Sequence, residues 1–156
     1  METHHALVVF QGKKIRRTWH DNQWYFSVID IVQALTDSKD PKQYIKKMRQ
    51  RDTILNANWG TICTLLEITA PDGRKRKSSC MNTQGAFRII QSIPSPRAEP
   101  FKLWLAQVGY ERVQEIENPE LAQKRMKGIY KAKGYSDDWV EKRVRGIAVR
   151  DELTGE

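Results

Sequence analysis

Two apolar-faced helical segments divided by prolines, in residues 82–113 (NTQGAFRIIQSIPSPRAEPFKLWLAQVGYERV), constrain this chain more than any other stretch. In the first segment Phe87, Ile90 and Ile93 recur at three-residue steps, with Ala86 and Ile89 beside them. In the second, Phe101, Trp104, Leu105 and Val108 follow the i, i+3, i+4, i+7 spacing of a helix with one buried face. Both segments therefore need a core supplied by the rest of the chain. Asn82 or Thr83 can cap the first helix, Pro94 and Pro96 stop it, and Pro100 suits the opening turn of the second.

Upstream, residues 6–10, 15–19 and 24–26 are rich in β-branched and aromatic side chains and are separated by the turn signals QGKK and HDNQ, which predicts a small antiparallel meander. Arg16 and Arg17 on its second strand suit an edge that must not pair with another chain. Ser27, with Asp30 three residues on, begins a helix whose apolar face is Val28, Ile31, Val32 and Leu35. Asp40-Pro41-Lys42-Gln43 is a second start signal, for a helix over residues 41–52. Residues 53–60 read as a loop. From 61 to 82 the pattern is strand, turn, strand about Ala70-Pro71-Asp72-Gly73-Arg74, with Glu67 facing Lys77, Leu66 facing Ser78 and Thr64 facing Cys80. In that register Cys63 and Cys80 point to opposite faces and stay unbonded. Gly109 is expected to interrupt the second central helix. Asn118-Pro119 and Ser136-Asp137 open two charged, narrowly amphipathic helices, the last with Trp139, Val140, Val144 and Ile147 as its stripe. The expected architecture is α+β: a small antiparallel meander and a β-hairpin packed with several helices in residues 1–117, then a helical hairpin in 118–156.

Charge narrows the function. Twenty-seven Lys and Arg against 19 Asp and Glu give +8, a balance that favours a polyanionic partner, nucleic acid or an anionic membrane surface. No apolar run approaches a membrane span and the N-terminus lacks the basic-then-apolar order of a leader, so the cytoplasm is the expected compartment. Two segments concentrate the cations. On the helix from Pro41, Lys42, Lys46 and Arg49 share one side, Gln43 and Gln50 flank them, and Lys47 and Arg51 lie on the remaining side, opposite the apolar Tyr44, Ile45 and Met48. Such a helix is either a solvated surface or one laid on nucleic acid, with lysines on phosphates and glutamine on adenine edges. The hairpin tip carries Arg74, Lys75, Arg76 and Lys77 in succession, and strand alternation makes both its faces basic, as a β-ribbon touching a phosphate backbone would be. No phosphate-binding glycine loop, nucleophile elbow or HExxH is present, and two cysteines and three histidines make neither a disulfide framework nor a zinc site. Asp37-Ser38-Lys39 and Asp40-Pro41-Lys42 have the triplet spacing of a metal nuclease but sit in a loop or helix start. No catalytic residue, metal or cofactor is therefore expected.

The order of meander, FSVIDIVQAL helix, basic helix, basic hairpin and QGAFRIIQSIPSPRAEPFKLWL resembles the Bro-N domain of phage antirepressors and baculovirus-repeat proteins. In that family a glycine-led helix with paired aliphatics precedes a short break and a helix bearing Phe-x-x-Trp. The matching positions here are Gly85, Phe87, Ile89, Ile90, Phe101 and Trp104, and the resemblance runs roughly from residue 6 to 113. After Trp104 the family usually continues Val-Leu-Pro-x-Ile-Arg, whereas this chain has Val108-Gly109-Tyr110-Glu111-Arg112-Val113. The resemblance implies a DNA-binding α+β domain at the head of a prophage-type transcriptional regulator, and it implies that some members bind a repressor protein instead. The first reading puts Lys42, Gln43, Lys46, Lys47, Arg49, Gln50 and Arg74, Lys75, Arg76, Lys77 on DNA. The alternative makes the chain a module that sequesters a repressor, with residues 119–153 as the partner or homo-oligomer surface.

Overall fold

The computed structural model describes residues 15–154; the strand expected over residues 6–10 lies outside them. Among these residues four antiparallel strands form one sheet in the order β1-β2-β4-β3: β1 (Arg17–His20), β2 (Gln23–Ser27), β3 (Thr64–Thr69) and β4 (Lys75–Asn82). Asp21 and Asn22 take positive φ, the backbone that a two-residue hairpin turn requires. The sheet curls so that β1 also meets β3. Glu67 faces Lys77, Leu66 faces Ser78 and Thr64 faces Cys80, as the turn chemistry predicts. Gly73, with φ of 85°, closes the turn by donating to Ala70 O at 2.9 Å. Both cysteines are free.

Among the described residues eight α-helices accompany the sheet: α1 (Val28–Thr36), α2 (Pro41–Arg51), α3 (Thr53–Ala57), α4 (Trp59–Ile62), α5 (Thr83–Gln91), α6 (Glu99–Glu117), α7 (Glu120–Ala132) and α8 (Asp137–Thr154). Their starts follow capping chemistry. Ser27 accepts from the amide of Asp30, Asp40 from Gln43 with Pro41 in the first turn, and Asn82 from Gly85. Residues 53–60 depart from the loop expectation. Asp52 accepts the amide of Leu55 and starts α3, which places Leu55 in the core, and α4 follows after Asn58. Gly109 does not break α6 either. A lone glycine costs a helix about 1 kcal/mol, too little to interrupt one anchored at its N-terminal end by a buried Phe101.

Two compact units emerge, one ending at Trp104 and one beginning at Leu105. In the first, α1 packs on β2, β4 and α2, and α5 packs on β2 and β4. Val28, Ile31, Val32, Leu35, Met48, Leu55, Met81, Ile89, Ile90, Ile93 and Phe101 are buried there, and Phe87, Phe101 and Trp104 meet edge to face at 5.5–5.9 Å. In the second, α7 packs on α8, Val140 and Val144 are buried, and Gly134 at φ 95° turns the chain between them. Glu115, also buried, is held by the guanidinium of Arg125 through Nε–Oε1 and, at 3.2 Å, Nη2–Oε2; these bonds draw its carboxyl below the usual range.

Candidate nucleic-acid interface

The hairpin tip is built by local rules. Asp72 accepts the Arg74 amide at 3.0 Å and the Arg76 guanidinium at 2.7 Å, which stiffens the turn and engages one of its four cations. Arg74, Lys75 and Lys77 are exposed, and no carboxylate among the described residues forms an ion pair with them. The tip is braced from behind. Arg16 donates through Nη1 to Thr69 O, the last carbonyl of β3, at 3.0 Å, while Nε and Nη2 hold both carboxylate oxygens of Asp30 at 2.8 and 3.0 Å. The Asp30 bond makes the Arg16 proton harder to remove than usual. Arg16 is thus a strut between β1, α1 and the root of the hairpin rather than a guard of an open edge.

On α2 the residues separate by what they touch. Lys42, Gln43, Lys46, Lys47 and Gln50 are exposed, and the three lysines have no ion-pair partner among the described residues. Arg49 is half-buried: its guanidinium lies 4.7 Å over the ring of Trp59 and its Nε donates to Asn56 at 2.9 Å. Trp59 O in turn accepts the amide of Cys63, immediately before β3. The Arg49 end of α2 is therefore fastened at the start of β3, and the tip leaves from its end. Six strand residues at about 3.3 Å each put about 20 Å between them. Helix and tip are two separate cationic patches.

Between the tip and β1 runs an open groove of about 450 Å³ lined in part by Arg17, Trp19, His20, Glu67 and Lys75. Arg17 lies 3.9 Å over Trp24, and Trp19 meets Trp24 edge to face at 5.2 Å while remaining 58% exposed. Sequence reasoning left Arg17, Trp19 and His20 out of the site. Only the curl of the sheet brings β1 beside Lys75, and the alternation of β1 by itself marks its outer side as an edge.

Among the described residues no cluster of three His, Cys, Asp or Glu could hold a metal ion, and no helix is long and apolar enough to cross a membrane. Burial raises both thiols, Cys80 to about 11. The family described as the BRO family, N-terminal domain, matches residues 14–111. No curated protein and no solved structure matches the chain.

Proposed function

Because the chain belongs to the BRO family, N-terminal domain, we propose that it is the non-enzymatic DNA-binding domain of a phage or viral transcriptional regulator, acting through the α2 lysines and the hairpin tip. The observation that carries the reading is where the charge lies. Up to Trp104 the sequence has seventeen Lys and Arg against nine Asp and Glu; from Leu105 onward it has ten against ten. The whole excess of +8 therefore belongs to the unit that holds the sheet and α2. Within that unit Lys42, Lys46, Lys47, Arg74, Lys75 and Lys77 are exposed, so a polyanion can approach them without first breaking an ion pair. A two-stranded ribbon is also narrow enough for a major groove.

Lysines and arginines on phosphates position a protein; base edges specify sequence. Lys42, Lys46, Lys47, Arg74, Lys75, Arg76 and Lys77 take the first role in this reading, and Gln43 and Gln50, exposed beside the α2 lysines, can take the second by pairing with adenine. Arg49, stacked on Trp59, serves chiefly to hold α2 in place.

Fluorescence anisotropy of a labelled duplex of about 30 base pairs, titrated with the chain from about 50 to 200 mM salt, tests this. Each phosphate contact contributes roughly 0.9 to the slope of log affinity against log salt. Replacing Arg74, Lys75, Arg76 and Lys77 by alanine is expected to reduce that slope by about 3.6, and replacing Lys42, Lys46 and Lys47 by about 2.7, on any sequence. Unchanged affinity and slope in both variants would refute the assignment. A chain indifferent to DNA that instead captures a repressor protein would favour the sequestering module.

A further inference from the structure

α6 is apolar on two sides. One side carries the buried Phe101 and half-buried Trp104 and Leu105. At 100° per residue, Ala106, Gly109, Tyr110, Val113 and Ile116 fall within an arc of about 120° elsewhere on the helix, and all five are exposed, Val113 at 56% and Ile116 at 64%. Leu103, exposed at 67%, extends the arc one turn earlier. Residues 103, 106, 110 and 113 follow the 3-4-3 spacing by which a helix meets a second helix. A Cβ built on Gly109, as on Gly128 and Gly146 in the later helices, would meet nothing within 4 Å, so this stretch of α6 presents a low, open strip beside Ala106.

The face is complementary to itself when read backwards. About a centre between Gly109 and Tyr110, an antiparallel copy sets Tyr110 against Gly109, Val113 against Ala106 and Ile116 against Leu103, large against small at the middle of the seam, and it sets Glu117 against Lys102. Lys102 has only a 3.9 Å approach from Glu99, and Glu117 has no ion-pair partner among the described residues. A parallel copy would instead oppose Tyr110 to Tyr110 and Lys102 to Lys102. We propose that this chain forms a two-fold homodimer through antiparallel pairing of α6, with Gly109 and Ala106 admitting the partner's Tyr110 and Val113. Such an interface is isologous: each contact occurs twice.

Sedimentation equilibrium of the full chain from about 1 to 200 µM tests the proposal, with circular dichroism as the control for folding. The expected mass rises toward twice 18.2 kDa over that range. Val113→Glu, at a position open to solvent in the monomer, is expected to leave helicity unchanged and the mass at one chain throughout. Lys102→Glu and Glu117→Lys are each expected to weaken association about tenfold, and the two together to restore it to within about threefold of the parent. A single-chain mass at every concentration would overturn the proposal, as would a dimer that survives Val113→Glu with its helicity intact. A double charge swap no better than either single change would overturn the antiparallel pairing.

Discussion

The Arg16–Asp30 pair is where stability and the candidate interface meet, and Asp30→Ala is the perturbation that separates its contributions. The carboxylate of Asp30 accepts three hydrogen bonds from one residue: the Arg16 amide at 2.8 Å, Nε at 2.8 Å and Nη2 at 3.0 Å. Removing it leaves an amide and a guanidinium without their acceptors. Breaking a fully buried pair costs about 3–5 kcal/mol, and an exposed one contributes about 0–1 kcal/mol. Side-chain exposures of 28% for Arg16 and 11% for Asp30 place this pair between those limits. Allowing about 1 kcal/mol for the orphaned amide, the expected loss is about 2–4 kcal/mol. Asp30→Asn, which keeps one acceptor, should cost about half as much.

Urea unfolding followed by tryptophan fluorescence measures this. In a Trp139→Phe background the remaining tryptophans, Trp19, Trp24, Trp59 and Trp104, all belong to the first unit, so the transition reports that unit alone. A cycle with Arg16→Ala should return a coupling of about 1.5 kcal/mol or more. Because Arg16 also holds Thr69 O at the root of the hairpin, amide exchange near Thr69 should speed up in Asp30→Ala. A loss below about 0.5 kcal/mol, or a cycle additive to within about 0.3 kcal/mol, would refute the strut.

Asp52 predicts a pH dependence. Its carboxylate accepts the Ser92 hydroxyl at 2.7 Å, the Leu55 amide at 2.9 Å and an Arg88 N–H at 3.4 Å, and these, the Ser92 bond foremost, hold its pKa below the ordinary value. A depressed folded pKa stabilises above the unfolded value of about 3.9, and that stabilisation is lost as pH falls through the folded pKa. The stability gap between wild type and Asp52→Asn should therefore be constant near neutrality and shrink below about pH 4, in urea midpoints taken from pH 7 to 3; a gap unchanged by acid would contradict it. Gly85→Ala sets two effects against each other: alanine is favoured in helices by about 1 kcal/mol, but a Cβ there would lie 3.1 Å from Ile62 O and from Met81 Cβ. With Gly85 buried, the clash should prevail by about 1 kcal/mol net, seen as a lower melting temperature, and a variant that melts higher would show that Ile62 and Met81 yield freely.

Much of this fold is written locally. Asp40-Pro41, Ser27 and Asn82 act as caps because each side chain reaches an amide three residues on, which is a property of short sequence. The β3–β4 register follows from the turn residues for the same reason. Residues 53–60 escaped such reading because their helices are four and five residues long, too short to show a period, and because Asp52 closes α2 and opens α3 at once. Gly109 misled for the opposite reason. Glycine is a strong punctuation mark in isolated segments, yet α6 is propagated from an N-terminal end anchored by the buried Phe101, where a cost of about 1 kcal/mol does not end it.

The candidate interface was legible only where charge is dense along the chain. Arg74, Lys75, Arg76 and Lys77 announce themselves because alternation guarantees that consecutive cations reach both faces of a strand. Arg17 and His20 join Lys75 in one groove only through the curl that carries β1 to β3, a contact between residues about fifty apart that no local pattern encodes. Arg49 shows the reverse case: the helical wheel sets it beside Lys42 and Lys46, but Trp59, from a helix that the sequence presents as loop, takes one face of its guanidinium. A stacked arginine fixed to Asn56 is a rigid attachment point, whereas a lysine with no partner among the described residues can follow a phosphate. The two kinds of cation on α2 therefore differ: Arg49 fixes the helix on the scaffold, and the exposed lysines are the ones we propose for a polyanion.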